Sequence, residues 1–143
     1  MSRFPSLSLS LSLPLSPEQV QQLSPAALAY IGDAVYELII RTHCLLPPSR
    51  PQRYHQRVVS YVRAETQASY ARLLQPHLTE FELRILKQGR NAASGGPKRV
   101  DLGVYQQATG FETLIGYLYL TNLPRLEQLL QQLDFNLDAL PSP

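Results

Sequence analysis

Asp33 and Glu112 are the residues of this 143-residue chain whose type and setting most invite chemistry. Each carboxylate lies inside an otherwise apolar helical stretch, AYIGDAVYE and ATGFETLIGY. An ionised group there is costly unless it is paired, hydrated or bound to a metal. Each also has a glycine at hand: Gly32 precedes Asp33, and Gly116 follows Glu112 by one turn. A glycine in a helix interior costs about 1 kcal/mol relative to alanine, so one in this position points to a close approach of another backbone. Two helices crossing at their glycines, with the carboxylates converging on one cation, satisfy both peculiarities. Hard oxygen donors of this kind suit Mg²⁺ or Mn²⁺. From pattern alone each acid could instead face water or pair with a nearby arginine, and Glu37, one turn beyond Asp33, either joins the site or is solvated.

A polyanionic partner is suggested by the placement of charge. The formal net charge is only +2, yet ten of the thirteen Lys and Arg residues fall in two windows without acids, 38–64 and 83–100. The first holds Arg41, Arg50, Arg53, Arg57 and Arg63 with His43 and His55; the second holds Arg84, Lys87, Arg90, Lys98 and Arg99. Clustering of this kind fits nucleic acid, although a merely solvated basic face would look the same. Around the second window, RNAASGGPKRVDLG combines three glycines, a proline and three basic residues, Arg90, Lys98 and Arg99, with the polar Asn91 beside Arg90, and predicts a loop over 91–103. Such a loop offers charge, backbone N–H groups and adaptable geometry to phosphates, which suits the backbone-and-ribose recognition of double-stranded RNA.

Several classes are excluded or disfavoured. One cysteine, Cys44, permits no internal disulfide and, without His or Cys at ligand spacing, forms no zinc motif; it reads as a small buried hydrophobe. No Gly-rich phosphate loop after a strand and no nucleophile elbow occurs. No apolar run approaches the roughly 18–20 residues of a membrane-spanning helix, so no membrane role is expected. His43 and His55 lack partners at short spacing and read as satisfied surface or core histidines.

The elements that must hold the carboxylates are all helical. Residues 1–17 alternate Ser and Leu and read as a disordered extension, with an organelle transit peptide as the alternative; 18–135 reads as one catalytic domain, and 136–143 as a flexible tail. Ser16-Pro17 and Ser24-Pro25 open a short helix to about residue 23 and a longer one over about 25–45. In the longer helix Leu28, Ile31, Val35, Leu38 and Ile39 form a core stripe, with Ala29, Tyr30, Asp33 and Glu37 on another face. A third helix is predicted over about 52–75, a fourth from a Thr79/Glu82 capping box to Gly89 with Phe81, Leu83, Ile85 and Leu86, a fifth over about 104–121 and a sixth over about 124–133. No strand is required, and short connections favour an all-α bundle.

Three strings, LAYIGDAVYE at 28–37, GRNAASGGPK at 89–98 and FETLIGYLYL at 111–120, come in an order and spacing that resemble Mini-ribonuclease III. The likeness runs from about Leu23 to Leu133. It implies the all-α ribonuclease III endonuclease fold as a homodimer, with double-stranded RNA in a valley across the subunits and a divalent-metal site, Mg²⁺ or Mn²⁺, in each. It further implies cytoplasmic maturation of large-subunit ribosomal RNA precursor ends. On this resemblance Asp33 and Glu112 are the catalytic metal ligands, Arg90, Asn91, Lys98 and Arg99 contact RNA, and His55 and Gln67 occupy recognised positions without an assigned role.

Compared with the wider ribonuclease III pattern, whose motifs read E-R-L-E-F-L-G-D and D-x-x-E, acids are missing. Ala26 and Ala29 stand for the two glutamates and Thr109 for the aspartate, losses that Mini-enzymes share. Two carboxylates would leave most of a Mg²⁺ shell to water and phosphate, which that ion tolerates. The Ser94-Gly95-Gly96-Pro97 stretch is slightly shorter than the usual family form, and no separate RNA-binding domain is visible, so affinity must come from the catalytic domain and its dimer. The expected activity is phosphodiester hydrolysis, and the resemblance implies 5′-phosphate and 3′-hydroxyl ends. A non-catalytic RNA-binding or ribosome-assembly module on the same fold is the rival that the missing acids motivate.

Overall fold

The computed structural model describes residues 15–94 and 100–135. The segments 1–14 and 136–143, and with them most of the expected extension and the tail, lie outside the described residues, as do Lys98 and Arg99. Among the described residues the chain forms seven α-helices and a short 3₁₀ turn, with no strand. These are α1 Pro17–Gln21, α2 Pro25–His43, α3 Pro51–Val62, α4 Ala64–Leu74, the turn Gln75–His77, α5 Glu80–Ala92, α6 Leu102–Thr121 and α7 Leu123–Leu130.

Local chemistry sets most boundaries. Ser16 and Ser24 cap α1 and α2 ahead of first-turn prolines, and Thr79 with Glu82 closes a full capping box on α5. Asp101 starts α6 by accepting from the amides of Gly103 and Val104 at 2.9 and 3.3 Å. α6 is the axis of the domain: α2, α5 and α4 all pack along it. Accordingly it is apolar nearly all round, burying Ala108, Gly110, Phe111, Thr113, Leu114, Ile115, Gly116 and Leu118.

The single helix expected over 52–75 is two helices. Arg63 ends α3 and starts α4 in an extended conformation, φ −65° and ψ 152°. Carbonyls freed by the break are recovered locally, by Thr66 Oγ1 donating to Ser60 O and Gln67 Nε2 donating to Val62 O, both at 2.7 Å. Hydrophobic periodicity passed through this kink because Val58 and Ala68 are buried on either side of it. α5 also runs past its predicted stop: Gly89 is not a terminator but a contact point, pressed against Thr113 and Gly110. Leu38, placed on a core stripe by its spacing, is 52% exposed, and Phe81 and Leu83 also reach solvent.

At the far end of α2, aromatic groups seal the core. Tyr36 OH donates to Tyr61 O at 2.8 Å, Tyr61 OH donates to Phe135 O, and a ring nitrogen of His43 bonds the same carbonyl at 3.2 Å. His43 and Cys44 are thus structural, Cys44 being buried. α7 is pinned to α5 by Arg125, whose Nε and Nη2 each donate to the buried Glu82 carboxylate at 2.8 Å.

Candidate active site

The α2/α6 crossing is made by the two glycines. A methyl group on Gly32 would fall inside the backbone carbonyl of Glu112 and 2.8 Å from the amide nitrogen of Gly116. A methyl group on Gly116 would overlap the carbonyl of Leu28. Gly110 does the same for α5, where its Cβ would lie 2.7 Å from Leu86 O. Gly110 and Gly116 of α6 therefore close packing between helices of one chain.

This crossing brings Asp33 and Glu112 face to face across one pocket. Both acids line it, and Glu112 is pushed up to about 9, first by burial and then by the hydrogen bond and negative charge of Asp33. Among the described residues neither makes an ion pair with a Lys or Arg. The pocket, about 350 Å³, is lined by both acids together with Ala26, Ala29 and Tyr30 of α2, Gly89 and Ala92 of α5 with Ala93 and Ser94 just beyond it, and Tyr105 and Thr109 of α6. Its floor carries the two acids and its other lining residues are neutral.

The donor set fits a divalent cation. Two carboxylates forced together without a basic partner lack countercharge, and a hard cation is the partner that lets both ionise. Among the described residues no cluster of three or more His, Cys, Asp and Glu side chains exists, so such an ion would take two protein ligands and fill its shell with water or substrate.

Other sequence candidates sit elsewhere. Glu37 points to Arg41, 3.6 Å away, and leaves the pocket. Arg90 is half-buried, its stem lying against Gly110 and its Nε buried without a partner, whereas Asn91 is exposed at the end of α5. Gln67 is buried at the α3/α4 kink, and His55 is exposed beside Arg41, Leu45, Tyr54 and Val58. Neither lines the carboxylate pocket. In the first basic window Arg50, Arg53 and Arg57 share a separate open depression of about 490 Å³ on α3. Arg57 is held there by the Cys44 carbonyl at 3.1 Å, while Arg41 and Arg63 are partly spent on Glu37 and Glu65. Tyr105, Ala92 and Ala93, pocket residues that the sequence pattern did not mark as part of a site, lie at helix ends where periodicity carries no site signal.

Comparison with known proteins agrees with this architecture. Residues 26–123 match the family model described as Ribonuclease III domain. A Mini-ribonuclease 3 of Thermosynechococcus vestitus is 58% identical over 123 residues, covering 85% of this chain and 82% of its own. One from Synechococcus sp. is 55% identical over 119 residues, covering 83% and 86%. A crystal structure of a Fusobacterium nucleatum protein superimposes with a TM-score of 0.74 at 25% identity, covering 82% of this chain and 96% of that one. With the family model matched across both carboxylate helices and relatives of this closeness along most of its length, the chain belongs to the ribonuclease III family of endoribonucleases, within its Mini-ribonuclease 3 group.

Proposed function

We propose that this ribonuclease cleaves double-stranded RNA by divalent-metal-dependent phosphodiester hydrolysis at the Asp33/Glu112 pocket. The observation that carries the reading is the meeting of two carboxylates, one from each crossing helix, in one pocket, with neither ion-paired to a Lys or Arg among the described residues. Asp33 and Glu112 would hold Mg²⁺ or Mn²⁺. When bound, such an ion would lower the pKa of water and neutralise charge developing on the phosphate; products with 5′-phosphate and 3′-hydroxyl ends are what the family likeness favours. Asp33 and Glu112 supply the negative floor; the neutral walls of Ala26, Ala29 and Thr109 leave room beside it for a phosphodiester.

Binding of the duplex is assigned to the basic surfaces. Arg90, Asn91, Lys98 and Arg99 bracket the pocket's α5 end in sequence, and Arg50, Arg53 and Arg57 extend positive charge along α3. Duplex affinity should therefore fall steeply with salt. A homodimer would set two pockets on opposite strands, and the substrate that the family likeness favours is the precursor of large-subunit ribosomal RNA in the cytoplasm. No helix among the described residues is long and apolar enough to cross a membrane.

The test is incubation of the purified chain with a long RNA duplex plus Mg²⁺ or Mn²⁺, alongside Asp33→Asn and Glu112→Gln. Wild type should cut and both variants should bind without cutting. Wild type that binds duplex yet never cleaves would install the rival, a non-catalytic RNA-binding or ribosome-assembly module on this fold.

A further inference from the structure

The polar side chains lining the carboxylate pocket are those of Tyr30, Asp33, Ser94, Tyr105, Thr109 and Glu112. Asp33 and Glu112 are its floor. Thr109 is spent on its own helix, its Oγ1 donating to the carbonyl of Tyr105 at 2.9 Å. Tyr30 and Ser94 stand out in solvent, Tyr30 being 82% exposed. Tyr105 differs from all of these: it is half-buried, and among the described residues its hydroxyl has no hydrogen-bond partner. We propose that Tyr105 is a further substrate-contacting residue, its hydroxyl bonding a ribose 2′-hydroxyl of the strand bound in this pocket. The proposal rests on the reading that RNA occupies the pocket.

Placement along α6 says which part of a bound strand this hydroxyl meets. Tyr105, Thr109 and Glu112 follow one another at four and three residues and so share one face of the helix. Two turns, about 10 Å of helix axis, separate Tyr105 from Glu112. A strand cut over the carboxylates therefore passes Tyr105 beside the scissile phosphate and not at it. The chemistry of the wall then selects the group it meets. No Lys or Arg lines the pocket, so a phosphate lodged at Tyr105 would find no countercharge there. A phenol hydroxyl is neutral and both donates and accepts, which matches another hydroxyl. In duplex RNA the 2′-hydroxyls lie along the minor groove and are the groups that DNA lacks. A site built to bond such a hydroxyl discriminates against a strand without it, because its own polar group is then left unpaired.

The test pairs Tyr105→Phe of the full-length chain with an all-RNA duplex and with duplexes carrying single 2′-deoxynucleotides stepped across the cut, following binding and single-turnover cleavage. Phenylalanine keeps the ring and its packing, so the variant should unfold at the same urea concentration as wild type. On the all-RNA duplex it should lose roughly three- to tenfold in rate or affinity, the worth of one hydrogen bond. One of the deoxy substitutions should cost wild type a similar factor and cost Tyr105→Phe nothing more. A variant that binds and cuts all-RNA as wild type does would overturn the proposal. So would a loss that stays the same on every deoxy-substituted duplex, which would move the hydroxyl to a phosphate or to the fold. Wild type that binds duplex without cutting any of it would overturn the cleavage reading instead, and the same comparison made on dissociation constants would still decide the ribose contact.

Discussion

The backbone carbonyl of Glu112 rests where a side chain on Gly32 would be, so the residue that lets α2 and α6 touch immediately precedes Asp33, one of the two acids that the contact brings together. Packing and site are therefore one feature. The glycine removes a methyl group, the helices close, and the carboxyl groups of Asp33 and Glu112 are left facing each other.

Gly32→Ala should therefore be destabilising although alanine is the better helix former. The gain of about 1 kcal/mol in helix propensity is outweighed by overpacking against backbone atoms, which cannot swing aside, so a net loss of about 1–3 kcal/mol is expected. Urea denaturation measures it. A variant as stable as wild type would mean that the helices can part at no cost.

Glu112 makes stability pH-dependent in an unusual direction. Its value in the folded chain is about 9 against an ordinary 4.5, so between those limits the folded state holds more protons than the unfolded one. Stability is then fully supported below about pH 4.5 as far as this group is concerned, and falls as pH rises toward 9. The slope contributed by one group is at most about 1.4 kcal/mol per pH unit. Glu112→Gln should flatten the fall and be more stable than wild type at pH ~8 in a chelating buffer, where linkage acts alone. Parallel stability curves for the two proteins across that range would contradict the burial and proximity argued for Glu112.

How much of this was legible in the sequence depends on the kind of signal. The α2/α6 crossing was, because Gly32 and Gly116 are costly in helix interiors and have no other use there. Caps at Ser24 and Thr79 were equally plain. The α3/α4 kink was not: it is held by Thr66 and Gln67 bonding back to carbonyls of α3, and nothing in the apolar spacing of Val58, Val62 and Ala68 marks it. Gly89 misled because a glycine late in a helix usually signals its end, whereas this one is kept for contact with α6. Likewise the partial burial of Arg90 depends on α6 lying across it, which only the tertiary fold reveals.

Gln67 offers a contrast with the acids. Buried and donating to Val62 O, it should act on the fold and not on chemistry. Gln67→Ala is expected to cost roughly 1–3 kcal/mol in stability, the penalty for a lost buried hydrogen bond and an uncompensated carbonyl. Cleavage per folded molecule and Mn²⁺ affinity should stay within about twofold of wild type, well inside the factor of ten that about 1.4 kcal/mol would produce. Chemical denaturation and single-turnover rates on the same sample separate the two effects, and a rate loss without a stability loss would place Gln67 in the reaction.

The central claim is that Asp33 and Glu112 form one functional unit, and a double-mutant cycle on single-turnover cleavage of duplex RNA tests it most directly. Groups that act together are strongly non-additive, so Asp33→Asn, Glu112→Gln and the double variant should all fall to about the same residual rate, with duplex binding retained in each. Losses that multiply in the double variant, or a single variant that still cuts near the wild-type rate, would show that the two carboxylates do not work as a pair.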